Sequence, residues 1–128
     1  MPGLPMARYT SLFTISVSLD HPEWRSASNR LRHSLSETLR SCSLDVVFDS
    51  EDYLVAKETP GHVSYTQLVT VEVLIERPVQ DPAVRMNFVV KNEELPLKSN
   101  NHCRAMFDSV NRAIAENRQW RLIESAVS

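Results

Sequence analysis

A chain of 128 residues with 42% apolar residues is long enough for one domain with a core of ordinary size. A formal net charge of -2 argues against a dedicated nucleic-acid binder, whose affinity comes from clustered positive charge that neutralises phosphates. The two cysteines have no CxxC spacing, which argues against a disulfide scaffold and suits a reducing compartment. We expect a flexible leader at residues 1–7, which holds two prolines and a glycine, and one domain at residues 8–125.

No apolar run approaches the roughly 20 residues needed to span a bilayer. The first residues, MPGLPMARY, have neither the basic segment nor the apolar segment of a secretory signal. The sequence therefore predicts a soluble, cytoplasmic protein without a membrane span.

The first two elements are a strand and a helix. Apolar and polar residues alternate from Tyr9 to Leu19, which is the period of a strand with one buried face. Asp20 then resembles a helix N-cap, with Glu23 three residues later and Pro22 in the first turn. Three- and four-residue steps place one apolar stripe on this helix, formed by Trp24, Ala27, Leu31, Leu35, Leu39 and Cys42.

Four further strands follow, at residues 44–49, 53–56, 68–76 and 84–91. A strand that returns parallel to the preceding one needs a crossover connection of about a dozen residues or more. Because the connections here are short, the sequence predicts antiparallel pairing.

The last predicted element is an amphipathic helix between Ser99 and Trp120. Ser99 or Asn100 would cap its first amides, and Asn117 would end it in a left-handed conformation. Its apolar stripe consists of Cys103, Met106, Phe107, Val110, Ala113 and Ile114.

These elements predict an α+β fold, a five-stranded antiparallel sheet with both helices on one face, in the order β-α-β-β-β-β-α. The arrangement resembles helix-grip and TATA-binding-protein-like folds. The layout of type III secretion chaperones is the alternative, and neither resemblance assigns a function.

The sheet face away from the helices carries more large apolar residues than a solvent-facing surface needs, which favours a contact with a partner protein or with a second copy of the chain. The predicted interface residues are Leu12, Val47, Leu54, Leu68, Leu74 and Val89. Arg25 and Arg32 on the first helix add a second candidate contact, because arginine favours bidentate, partly desolvated interactions.

A pocket between the last helix and the sheet is the alternative site, since small-molecule sites are concave and mostly apolar. A small apolar ligand there would contact Met86, Phe88, Met106 and Phe107. A packed core at these four positions is the competing interpretation.

The residues suggest no catalytic, cofactor or metal site. His102 and Cys103 are adjacent near a helix N-terminus, where the dipole favours a thiolate. However, adjacent helical residues point about 100 degrees apart, and Cys103 belongs to the apolar stripe. The four histidines lack close ligand spacing, and two glycines are too few for a phosphate-binding loop.

Three segments carry a resemblance: YLVAKETPG, LVTVEVLIERP and VRMNFVVKNEELPLKSNNHCRAMFDSVNRAIAENRQWRLIES. Together they resemble a family of small uncharacterised cyanobacterial proteins over about residues 8–125. This resemblance implies a cytoplasmic setting in a photosynthetic cell and a role near photosynthetic or carbon-fixation machinery. It carries no residue-level function.

The function expected from all of this is a non-enzymatic protein interaction by an assembly or regulatory factor. The alternative is a carrier or sensor of a small apolar ligand.

Overall fold

The computed structural model describes residues 6–16, 24–77, 83–96 and 99–127. Residues 1–5 of the predicted leader at residues 1–7, the helix signal at Asp20 to Glu23 and the connection at residues 78–82 lie outside these residues. The last residue of that leader, Ala7, is described and is fully buried. The strands are β1 (Ala7–Ser16), β2 (Leu44–Ser50), β3 (Tyr53–Glu58), β4 (Thr70–Glu76), β5 (Ala83–Asn92) and β6 (Arg121–Val127). The helices are α1 (Trp24–Ser41) and α2 (His102–Glu116).

The six strands form one antiparallel sheet in the order β2-β3-β4-β5-β1-β6. The prediction of an α+β fold with an antiparallel sheet and two helices is confirmed, with six strands instead of five. The sixth strand, β6, follows α2 and pairs with the edge of β1 opposite to β5. Its sequence, RLIESAV, shows no regular alternation, and it was not predicted.

Both helices lie on one face of the sheet, called here the inner face. Burial of the apolar stripes drives the packing of the helices on the sheet, because apolar surface of both the helices and the sheet is removed from water. Phe13 and Phe88 meet edge to face, with ring centroids 5.5 Å apart, in the middle of this layer. The helix residues in the core are Leu31, Leu35, Leu39, Cys103, Met106, Phe107, Val110 and Ile114.

The caps of α2 differ from those predicted. Asn101 is the N-cap, and its side-chain oxygen accepts a hydrogen bond from the Arg104 amide at 2.9 Å. Asn117 ends the helix in an extended conformation, with φ -66° and ψ 129°, instead of a left-handed one. Its side chain donates to Thr38 Oγ1 at 2.9 Å and so joins the end of α2 to α1.

Candidate functional site

The opposite face of the sheet, called here the outer face, exposes a cluster of large apolar side chains on β2, β3 and β4. Tyr53 lies opposite Leu74 in the ladder, and Phe48 lies opposite Val55. The rings of Phe48 and Tyr53 have centroids 5.9 Å apart. Phe48 is 54% exposed and Leu74 is 39% exposed. We call these four residues, Phe48, Tyr53, Val55 and Leu74, the aromatic patch.

A β-bulge in β2 places Phe48 in the aromatic patch. The register with β3 shifts between Val46 and Phe48, so Val47 is an extra residue in the strand. Val46 packs against the core, whereas Val47 and Phe48 are both exposed. Strict alternation over residues 44–49 would place Phe48 on the same face as Leu44 and Val46, whereas the bulge moves it to the opposite face.

Five of the six predicted interface residues of the sheet lie on the outer face or in the cleft at its end. Leu74 and Val47 are exposed, and Leu12, Leu68 and Val89 are half-buried. The exception is Leu54, which is fully buried because it lies opposite Val73 on the inner face. Its assignment to the outer face was therefore wrong.

The outer face has two apolar areas. Leu12 and Val89 line a shallow groove with Ala126, at the side of the sheet formed by β5, β1 and β6. Glu72 lies between Val55 and Val89 in the ladder, and Asn87 lies between Leu74 and Leu12. These polar residues separate the groove from the aromatic patch.

A cleft of about 520 Å³ lies at the end of the outer face, beside the loop that joins β3 to β4. Its lining includes the apolar residues Val47 and Leu68, together with charged residues of both signs, Lys57, Lys91, Asp45, Glu58 and Glu93. The ammonium group of Lys91 pairs with Glu72 at 3.1 Å. Apolar and charged residues occur together in protein-binding surfaces as well.

The loop beside the cleft has a defined conformation and presents an aromatic ring. A capping box joins Ser64 and Gln67, with the Ser64 amide donating to Gln67 Oε1 at 3.2 Å. The short 3₁₀ turn that it caps, Tyr65–Gln67, holds Tyr65 with 86% of its surface exposed. An aromatic residue so exposed on an ordered turn is typical of a contact residue.

The two predicted arginines differ in availability. Arg25 is exposed. Arg32 is mostly buried, and its guanidinium bonds to Asp49 on β2, to Asn29 and to Ser28 Oγ. Arg32 therefore holds α1 against β2. Of the two predicted arginines, Arg25 is the one that is accessible to a partner.

The four predicted ligand-binding residues lie in the core. Met86, Phe88 and Phe107 are essentially fully buried, and Met106 nearly so. Phe107 stacks on Tyr9 with ring centroids 5.4 Å apart. These side chains occupy the space that a ligand would need, so the carrier hypothesis gains no support from the packing and stays a prediction.

A buried polar cluster, which the sequence did not indicate, anchors the start of α2 to the sheet. The Glu94 carboxylate accepts the backbone amides of His102 at 3.2 Å and Cys103 at 2.9 Å. Burial alone would raise the pKa of Glu94. Hydrogen bonds from the Asn92 side chain, from these two amides and from the Gln67 side chain outweigh it and lower the pKa to about 2.

A second buried carboxylate completes this cluster. Glu58 Oε1 accepts the Val69 amide at 3.0 Å, and both its oxygens lie 2.9 Å from His102 Nε2. In the part of the chain that the structure describes, every buried side-chain nitrogen and oxygen atom has a hydrogen-bond partner, which is the arrangement of a structural network.

Cys103 is unsuited to nucleophilic chemistry. Its sulfur is fully buried, 3.5 Å from the carbonyl oxygen of Val90. Burial, together with the negative charges of Glu94 and Glu58, raises the pKa of the thiol to about 12. The proximity to His102 in the sequence therefore produces no activated thiol.

Among the residues that the structure describes, no group of three or more His, Cys, Asp or Glu side chains could hold a metal ion. Across that same part of the chain, none of the helices combines the length and the apolar character that crossing a bilayer requires.

Comparison with known proteins finds no family model that matches the chain and no curated protein sequence similar to it. The resemblance to cyanobacterial proteins therefore stays a prediction.

Proposed function

We propose that the protein is a non-enzymatic interaction protein, an assembly or regulatory factor, that binds a partner protein through the outer face of its sheet. The observation that carries this proposal is the aromatic patch. Monomeric proteins seldom expose several large apolar side chains in contact with one another, and such clusters mark interaction sites. A few residues dominate the binding energy of a protein interface, and tyrosine is one of the residue types enriched among them.

The neighbouring cleft supports the same interpretation. Val47 lies beside Phe48 in β2 and lines the cleft, so the aromatic patch and the cleft adjoin each other. A partner that covers the patch could insert one side chain into the cleft and meet Lys57 at its wall. A buried anchor, an apolar centre and a charged rim are the parts of a specific interface.

The cytoplasmic setting and a link to photosynthetic or carbon-fixation machinery belong to this proposal as well. They rest on the sequence resemblance alone.

The test is affinity capture from an extract of the source cells with three versions of the chain as bait. The wild type should retain a defined partner, and a Phe48→Asp/Leu74→Asp double variant should lose it. Both positions are exposed, so the charges should remove binding energy without opening the core. Ala105→Asp/Ser109→Asp is the control, because it adds the same two negative charges at exposed positions of α2, which packs on the inner face.

Circular dichroism and thermal unfolding must show that the three baits are equally folded. Retention of the same proteins by all three baits, or of none by the wild type, would contradict the proposal.

A further inference from the structure

The strand β6 forms one edge of the sheet. Its one strand neighbour in the described chain is β1, so one side of its backbone has no ladder partner there. Ile123 is 56% exposed and Val127 is 64% exposed. An open edge with apolar side chains is a template for pairing with another strand.

The opposite edge strand of the sheet, β2, has structural features that oppose such pairing. It contains the β-bulge at Val47 and two aspartates, Asp45 and Asp49. Asp49 is further tied to Arg32 of α1. Bulges and charges are the usual protection of an edge strand. The strand β6 also has a bulge, at Ile123, but this residue lies at the end of the segment proposed to pair below. The four residues from Glu124 to Val127 pair regularly with β1, and Glu124 is the one charged residue among them.

The sequence of β6 is complementary to itself in one antiparallel register. Residues that face each other across a symmetric antiparallel pair point to the same face of the sheet. The symmetry axis must therefore lie midway between one residue and the same residue of the partner subunit, and each register is named here by that residue. An axis at Ser125 places Val127 opposite Ile123 of the partner subunit. It also places Glu124 opposite Ala126 of the partner subunit.

The neighbouring registers are worse. An axis at Glu124 would bring two identical carboxylates face to face, and like charges directly opposite each other destabilise a sheet. An axis at Ala126 would leave Ile123 without an apolar counterpart, because Val127 would then meet Ser125 of the partner subunit. The register centred on Ser125 pairs both exposed apolar residues and opposes no like charges.

We propose that β6 pairs with β6 of a second copy of this chain, antiparallel and centred on Ser125, so that two six-stranded sheets become one continuous sheet. The symmetry axis is perpendicular to the sheet, so the outer faces of both copies lie on the same side. The dimer therefore displays two aromatic patches on one surface. This inference rests on β6 and is independent of the partner-binding role proposed above.

A cysteine scan of β6 tests the register. Single cysteines are introduced at positions 123 to 127 in a Cys42→Ser background, which leaves only the buried thiol of Cys103, and are then oxidised. Ser125→Cys should form the most disulfide-linked dimer, because residue 125 faces itself. Ala126→Cys should cross-link much less, whereas a mixture of Glu124→Cys and Ala126→Cys chains should form the mixed dimer. Cross-linking with its maximum at another position, or none above the Cys42→Ser background, would overturn the register.

Analytical ultracentrifugation of the full chain tests the association itself. The wild type should sediment as a dimer at micromolar concentration. The dissociation constant of the Ile123→Lys/Val127→Lys dimer should be at least tenfold higher than that of the wild type. The substitutions place lysines opposite each other where the wild type has apolar pairs. Phe48→Asp/Leu74→Asp is the matched control and should remain dimeric, which separates this proposal from that of the outer face. A wild type that stays monomeric, or a dimer lost only in the control, would overturn the inference.

Discussion

His102 Nε2 lies 2.9 Å from both carboxylate oxygens of Glu58, and this contact joins the first residue of α2 to the last residue of β3. Glu58 is almost completely buried. A buried carboxylate requires hydrogen-bond donors, and here His102 and the backbone amide of Val69 are those donors. A hydrogen atom on Nε2 satisfies the carboxylate in either charge state of the ring.

This contact predicts strong energetic coupling between the two residues. His102→Ala and Glu58→Ala should each lower the free energy of unfolding by about 1–3 kcal/mol, because each removes one side chain and leaves the other without its hydrogen-bond partner. The double variant should cost less than the sum, and the difference measures the coupling. Urea denaturation of the four proteins provides the numbers.

The exposed pair His33 and Glu37, which lie one turn apart on α1 with a 3.2 Å contact, is the control. The same cycle there should give a coupling near zero, since water screens exposed pairs. Equal coupling in the two cycles would show that burial does not strengthen the Glu58 contact.

Glu94 should make the stability of the protein sensitive to acid. The pKa of Glu94 is about 2 in the folded chain, below its ordinary value of 4.5. A carboxylate whose pKa is lowered by folding stabilises the folded state above its ordinary pKa, and this contribution is lost as the pH falls from about 4.5 to about 2. Glu94→Gln should therefore lower the free energy of unfolding by about 2–3 kcal/mol at neutral pH. It should also flatten the pH dependence between those limits.

Glu93→Gln is the matched control, because Glu93 is the exposed neighbour of Glu94. Its unfolding curves should follow the wild type at every pH. If the free energy of unfolding of the Glu94→Gln variant fell with decreasing pH as it does in the wild type, Glu94 would not be the source of the acid sensitivity.

The sequence predicted the fold because apolar residues in most elements follow a single period. Leu31, Leu35 and Leu39 mark the buried side of α1 at steps of four, and similar regularity marks β1, β4 and β5. The predictions failed where an extra residue breaks the period. Val47 in β2 brings Phe48 to the outer face, and the shift at Ile123 hides the alternation of β6.

The buried carboxylates were missed for a different reason. Glu93 and Glu94 are adjacent and identical in the sequence, but Glu94 turns inward to the amides of α2 while Glu93 faces water. Only contacts with residues distant in the sequence decide between these two orientations. For Glu58 a signal was present, because the period of two that buries Leu54 and Ala56 also points Glu58 inward.

Cys103 should be chemically silent in the folded protein. Its thiol is fully buried and, with a pKa of about 12, stays protonated at pH 8. Cys42 is half-buried, and burial raises its pKa as well. A chromogenic disulfide reagent at pH 8 should therefore modify Cys42 slowly, and Cys103 only when the protein unfolds. In a Cys42→Ser variant the native protein should show no rapidly reacting thiol, and one full equivalent should appear in denaturant. If native Cys42→Ser were labelled at the rate of a free thiol, Cys103 would have to be accessible and ionised. That result would contradict the conclusion that Cys103 is too buried to act as a nucleophile.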